Sequence, residues 1–360
     1  MTHINKRCTL NTPKNNGGTL KILVDEKRAV EVFSKLVEAF KNKLPPYDTA
    51  PLPQILTPTQ IQKKSAEHAR FLFCCCYYMR GGIRSDTAMK SLAVLYENHP
   101  EYFDSAYVAQ ADEKSLLQSL KQHLQEVKLN YNASVIPQFW IDNFKKINTF
   151  WGDNPAQLIQ DADYEEITER IMNSGKIKSE NPHGFFGFRE KMVSMIIYFL
   201  VDAEFIDPLH FPVPIDFHAL RIITAHEILD TETNTKTNIL SPEYLQAARD
   251  ISVKFCLEHN ESPLDLCGAL WLLSRTWCSL HPGNASEVGI YHGRKTHIGV
   301  SKKSRWTQKN AFTYEATCGR CPIEKTCKYL IPAGYYYRQG KIIIRGERNN
   351  HPQLNLFSTK

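Results

Sequence analysis

Gly268-Ala-Leu-Trp-Leu-Leu-Ser-Arg-Thr-Trp-Cys278 and, further on, Cys318-Gly-Arg-Cys321-Pro-Ile-Glu-Lys-Thr-Cys327 are the stretches on which the reading of the fold turns. In the first, apolar residues recur at helical spacing, which puts Cys278 at the end of a buried helix. The second spaces three cysteines as C-x2-C-x5-C, so that together with Cys278 four thiolates can converge on one centre. Four thiolates are the donor set of a [4Fe-4S] cluster or of a structural zinc ion. Cys267 competes as fourth ligand, and His281, His292 and His297 keep a Cys3His zinc site open.

A chain of 360 residues can bury a substantial core as one large domain or two. Its 44 basic and 38 acidic residues give a net charge of +6, which suits a nucleic-acid partner without demanding one. Ten cysteines without a signal peptide point to a reducing cytoplasm, on the nucleoid in a bacterium, and not to a secreted disulfide framework. The densest apolar run, Phe71-Leu-Phe-Cys-Cys-Cys-Tyr-Tyr-Met79, is far shorter than the roughly 20 residues that span a bilayer, so no membrane partner is expected. It reads as a buried helix in which Cys74, Cys75 and Cys76 pack as small hydrophobes, because adjacent helical residues point in different directions.

Residues 1–19 read as a polar tail, 21–24 as the start of a short strand, and 26–44 as an amphipathic helix stopped by Pro45-Pro46. A proline-rich connector follows, then helices over 59–79, 85–98, 112–127 and 136–151. Strand alternation is nearly absent until Lys341-Ile-Ile-Ile-Arg345, and the tail from Tyr335 is expected to fold as a hairpin against the cysteine loop. The expected class is therefore all-α with a small β addition. Residues 164–172 and 187–200 read as two helices joined by a Gly/Pro-bearing turn, a helix-hairpin-helix. Downstream, Phe211-Pro-Val-Pro-Ile-Asp216-Phe-His-Ala-Leu-Arg-Ile222 approaches in extended form, and Asp216 then caps a helix running to about Leu229.

This order of hairpin, Asp-headed helix and cysteine loop resembles the endonuclease III and adenine-glycosylase branch of the helix-hairpin-helix DNA glycosylases, over roughly residues 160–330. That family writes its loop as C-x6-C-x2-C-x5-C, whereas here Cys278 and Cys318 are much further apart. The run before Cys278 matches the helix leading to the family's first ligand, which favours Cys278 over Cys267. The family's hairpin carries a G-x-G pair; Gly187 matches the first glycine, Arg189 replaces the second, and Lys191 aligns with the family's lysine. Asp216, His218 and Arg221 match its V-D-x-H-V-x-R-V segment.

The resemblance implies a glycosylase-like helical fold with a C-terminal [4Fe-4S] loop, ligated by Cys278, Cys318, Cys321 and Cys327, zinc being the alternative. It implies an N-glycosylase that removes a damaged or modified base from DNA. Asp216 would be the catalytic carboxylate, stabilising positive charge on the sugar of an extruded nucleotide. Lys191 would be the nucleophile if lyase activity accompanies base release, water taking its place otherwise. Phe185, Phe186, Phe211 and Phe217 are candidates to line the base pocket or to pack the core. Gly187 and Arg189 would contact phosphate. Between the cysteine stretches, Arg294, Lys295, Lys302, Lys303, Arg305 and Lys309 alternate with Tyr291, Trp306, Phe312 and Tyr314, a pattern suited to phosphates and unpaired bases.

The chain thus divides, in order, into a tail, helix and connector (1–58), a helical glycosylase-like region (59–265) containing the hairpin (164–200), and a cluster region (266–360) with a basic insert (279–317). DNA is the first partner; RNA or a free modified nucleoside, and a non-catalytic metal-stapled nucleic-acid-binding protein, are the alternatives.

Overall fold

The computed structural model describes residues 8–9, 22–48, 52, 56–79, 83–172, 182–231, 236–238, 242–278, 288–291, 294–297, 316–327 and 342–344. The protein is mostly helical and forms two compact units, one of Pro51–Pro214, the other of Met1–Ala50 with Ile215–Lys360. Among the described residues no helix is long and apolar enough to cross a membrane.

The discontinuous unit opens with β1 (Cys8–Thr9) and β2 (Ile22–Val24), then α1 (Glu26–Lys41). Asp25 ends the strand and starts the helix by accepting the Arg28 N–H at 2.9 Å. The face of α1 carrying Val32, Phe33, Leu36 and Val37 is buried, as its spacing predicts.

The continuous unit holds α2 (Ala66–Cys76), α3 (Ser85–Asn98), α4 (Ser105–Gln110), α5 (Glu113–Glu126), α6 (Ile136–Phe150), α7 (Tyr164–Ile171) and α8 (Glu190–Asp202). Its core is aromatic: Phe73 stacks on Phe188 at 4.8 Å and meets Phe185 edge-on at 5.1 Å. Trp140 stacks on Tyr77 and donates its indole N–H to the Tyr102 carbonyl at 2.8 Å. Cys74, Cys75 and Cys76 are fully buried on α2, and burial pushes the Cys74 and Cys75 thiols up.

The hairpin helices form, with one shift. The second begins at Glu190 and not at Gly187, because Gly187 takes φ +79, a left-handed conformation that no helix continues. That turn is pinned from both sides. Phe185 and Phe188 are buried, and the Asn143 side chain exchanges hydrogen bonds with the Phe186 N–H (2.8 Å) and carbonyl (3.0 Å). Gly187→Ala should lower the urea midpoint of this unit, reflecting about 1–2 kcal/mol for a side chain forced into that region; an unchanged midpoint would mean the turn relaxes freely.

The chain returns to the discontinuous unit with α9 (Phe217–Ala225), β3 (Leu229–Thr231), β4 (Lys236–Asn238), α10 (Pro242–His259) and α11 (Pro263–Leu273), followed by β5 (Val288–Tyr291), β6 (Arg294–His297) and β7 (Ile342–Ile344). β3 completes an antiparallel sheet of order β1-β2-β3, with Val24 opposite Leu229. β7 pairs with β4, so among the described residues the tail strand finds its partner before α10. β5 and β6 form a hairpin inside the basic insert.

Candidate metal centre and carboxylate site

Helix α11 starts from a Ser262 cap with Pro263 in its first turn and ends at Leu273; residues Ser274–Cys278 then widen into a π-helical turn. Cys278 therefore leaves the helix on a wider turn than the regular spacing implies. The loop carrying the other cysteines folds as two tight turns, Cys318–Arg320 and Glu324–Thr326. These are closed by Cys321 N–H to Cys318 O (3.0 Å) and Cys327 N–H to Glu324 O (2.9 Å). Ile323 between them is 1% exposed and anchors the loop in the unit's core.

Cys278, Cys318 and Cys327 each lie within electrostatic reach of Cys321. Burial pushes the Cys321 thiol well up, and negative charge on Cys278, Cys327 and Cys318 pushes it further. Burial, with Cys278 next, pushes Cys318 up to about 12. Among the described residues no three Cys, His, Asp or Glu side chains already stand in metal-holding geometry. The chemistry of the donor set nevertheless fits: all four thiols are half-buried, and Cys278, Cys318 and Cys327 lie within reach of Cys321. A cation stands beside them, and two links fasten the loop and the turn to one helix.

That helix is α9. Asp216 is its cap, its Oδ1 accepting the N–H groups of His218 (2.8 Å) and Ala219 (3.0 Å). Oδ2 takes no part in the cap, and the residue is half-buried. The next turn is tied to the π-helical turn at one residue. His218 Nδ1 meets the Ser274 hydroxyl at 3.1 Å, and Arg221 donates from Nη1 to the Ser274 carbonyl at 3.0 Å. The guanidinium lies over the Phe217 ring, 4.4 Å from its centroid.

Arg221 is 8% exposed, and its Nε is buried with no hydrogen-bond partner. Burial lowers its pKa, while negative charge on Cys278 and Asp216 raises it, so the cation is within electrostatic reach of both. In return, burial pushes the Cys278 thiol up and Arg221 pulls it down. A buried guanidinium with an N–H to spare suits an anionic thiolate next to it.

The other end of α9 holds the loop. His226, the C-cap residue, is 4% exposed, and its Nδ1 lies 2.7 Å from the Thr326 hydroxyl. That hydroxyl donates to the Ile323 carbonyl at 2.9 Å, so its oxygen accepts and His226 Nδ1 carries the proton. The helix headed by Asp216 thus spans from the turn bearing Cys278 to the loop bearing Cys318, Cys321 and Cys327.

Lys191, Gly187 and Arg189 belong to the continuous unit. Arg189 is exposed at the start of α8, without a side-chain capping bond. Lys191 donates to the Met79 carbonyl at 2.5 Å. Of the four aromatic candidates, Phe185 and Phe211 are core residues, Phe186 is half-exposed and stacks on Phe139, and Phe217 lies under Arg221. Lys302, Lys303 and Arg305, with His281 and His292, lie outside the described residues, as do the side chains of Arg294, Lys295 and His297.

Sequence reasoning did not single out Ser274, His226 or Thr326. Ser274 and Thr326 sit inside the cysteine stretches without being chemically distinctive there, and only the packing of α9 against both segments joins them to His218, Arg221 and His226. Searches against models of known protein families and against curated proteins found no match for this chain.

Proposed function

We propose that this protein is an N-glycosylase that removes a damaged or modified base from DNA, with Asp216 as its catalytic carboxylate and a metal centre held by Cys278, Cys318, Cys321 and Cys327. The observation that carries the reading is helix α9. Its first turn presents a carboxylate whose Oδ2 the cap leaves unused, and its two ends are tied to the two cysteine-bearing segments. A site of this kind needs a fixed carboxylate, because the field that stabilises a sugar cation is effective only if it need not reorganise during reaction.

The chemistry is addition of water across the glycosidic bond. The C1′–N bond breaks, its electron pair leaves with the base, and the water oxygen bonds to C1′ while its proton passes to a base. Asp216 stabilises the positive charge that develops on the sugar and can accept that proton. A [4Fe-4S] cluster, or zinc in its place, would supply the fold with a covalent staple between the α11 turn and the loop. A net charge of +6 and the basic insert favour a polyanionic substrate over a free nucleoside.

Lys191 is read as a positioning residue and not the nucleophile. Its Nζ is engaged by the Met79 carbonyl, a contact that suits holding a backbone segment in place rather than attack on C1′. Lys191→Gln should still release base, and borohydride should trap no protein–DNA adduct with either protein. A trapped complex lost only in Lys191→Gln would reverse this assignment. The function itself is tested by incubating the protein with duplexes and single strands that carry different modified bases. Release of a free base from one of them is expected; binding without release across the set would leave a metal-stapled nucleic-acid-binding protein.

A further inference from the structure

Trp271 on α11 is half-exposed, although Leu270, Leu272 and Leu273 beside it are buried. The helix thus packs its leucines inward and holds an indole at the surface. The Arg275 guanidinium lies over that ring, with Cζ 4.7 Å from the centroid. The indole also meets the His218 imidazole edge-on, centroids 6.1 Å apart, and His218 meets Phe217 in the same manner at 5.7 Å. Arg221 then lies over Phe217 at 4.4 Å. His218, Phe217 and Arg275 are half-exposed, as is Asp216, whose Oδ1 accepts the His218 N–H at 2.8 Å. A run of rings with a guanidinium at each end therefore leads from α11 to the carboxylate at the head of α9.

Core packing does not account for this run, since a Trp used for packing is mostly buried. Its composition has a chemical match. Aromatic faces receive bases and guanidiniums receive phosphates, the two groups that alternate along an unpaired strand. An acidic peptide would answer the cations and leave the rings unfilled. A duplex keeps its base faces stacked on one another, so an exposed indole suits a base that is already unpaired.

We propose that Trp271 and Arg275 form a strand-holding subsite beside Asp216, the indole stacking on an unpaired base of DNA and the guanidinium pairing with a phosphate of the same strand. This rests on the reading that the carboxylate site takes a nucleic acid. It deepens that reading by assigning α11 a part in substrate binding and by making an unpaired stretch next to the target nucleotide the preferred substrate.

Anisotropy titrations of the full-length protein with a fluorescein-labelled oligothymidylate, and with an abasic strand of equal length, test the proposal. Trp271→Leu should weaken oligothymidylate binding about tenfold, within the range for losing one stacked base. It should leave binding of the abasic strand unchanged, because a ring with no base to stack on contributes nothing. Trp271→Phe keeps a ring and should recover most of the loss. Arg275→Gln should reduce the slope of log K against log salt by about one unit, whereas Trp271→Leu should not alter it. Tyr107→Leu, which removes an exposed ring from the continuous unit, should bind as wild type does.

Wild-type affinity of Trp271→Leu for oligothymidylate would overturn the proposal. Equal weakening on the abasic strand would overturn it too, since the loss would then be one of fold and not of stacking. An unchanged salt slope in Arg275→Gln would remove the phosphate contact. The glycosylase reading fails separately: the stated binding pattern without release of any base would keep the subsite and sink that reading, and base release with unaltered binding by Trp271→Leu would do the reverse.

Discussion

Asp216→Asn is expected to leave folding and nucleic-acid binding in place while single-turnover base release falls by about two to four powers of ten, the scale for losing an electrostatic or acid–base group. The substitution separates the two jobs of one side chain. As a cap, Asp216 uses only Oδ1, which accepts from the His218 and Ala219 N–H groups. Asn offers an oxygen to the same two donors and caps helices about as well, so α9 should survive. What Asn lacks is negative charge. The developing sugar cation loses its counter-charge, and Arg221, which the Asp216 charge reaches, loses one of its anionic neighbours. A purely structural carboxylate would leave release nearly intact, and that result would remove Asp216 from the chemistry. Circular dichroism and a binding isotherm on the same variant establish that any lost activity is not lost structure.

Cys278→Ala should reduce bound metal from a full complement, about four irons for a cluster, to nearly none, whereas Cys267→Ala should keep it. Both thiols belong to the α11 region, and spacing alone allows either. The charge of Cys278 reaches Cys318, Cys321 and Arg221. Elemental analysis and the visible absorption of anaerobically purified protein read the outcome. The reverse pattern would mean that Cys267 is the fourth ligand. One zinc and no iron in the wild type would replace the cluster by a zinc staple and leave the same four cysteines under test. Buried Ile323 and the His226–Thr326 link tie the loop to the rest of its unit as well.

Much of the helical framework was legible because it rests on local rules. The helix over 85–98 forms at those bounds, and Asp25, Asp112, Asp163 and Asp216 each accept a backbone N–H at a helix start, as their side chains predispose them to do. Where local rules met a single unusual backbone, the reading shifted. The helix after the hairpin starts late because of Gly187. The one headed by Asp216 stops at Ala225, short of Leu229, because Glu227 takes φ +53 and the chain turns into β3.

The sequence by itself determined the mostly helical class, the capped start of α9 and the cysteine spacing, since each depends on residues within a turn or two of one another. The tertiary structure alone decided that β2 pairs with β3 and β4 with β7, and that α9 is tied at one end to Ser274 and at the other to Thr326. These contacts join segments far apart in the chain, and their energy comes from burial and hydrogen bonds that many ordinary residues could make. No local pattern marks which of them will meet.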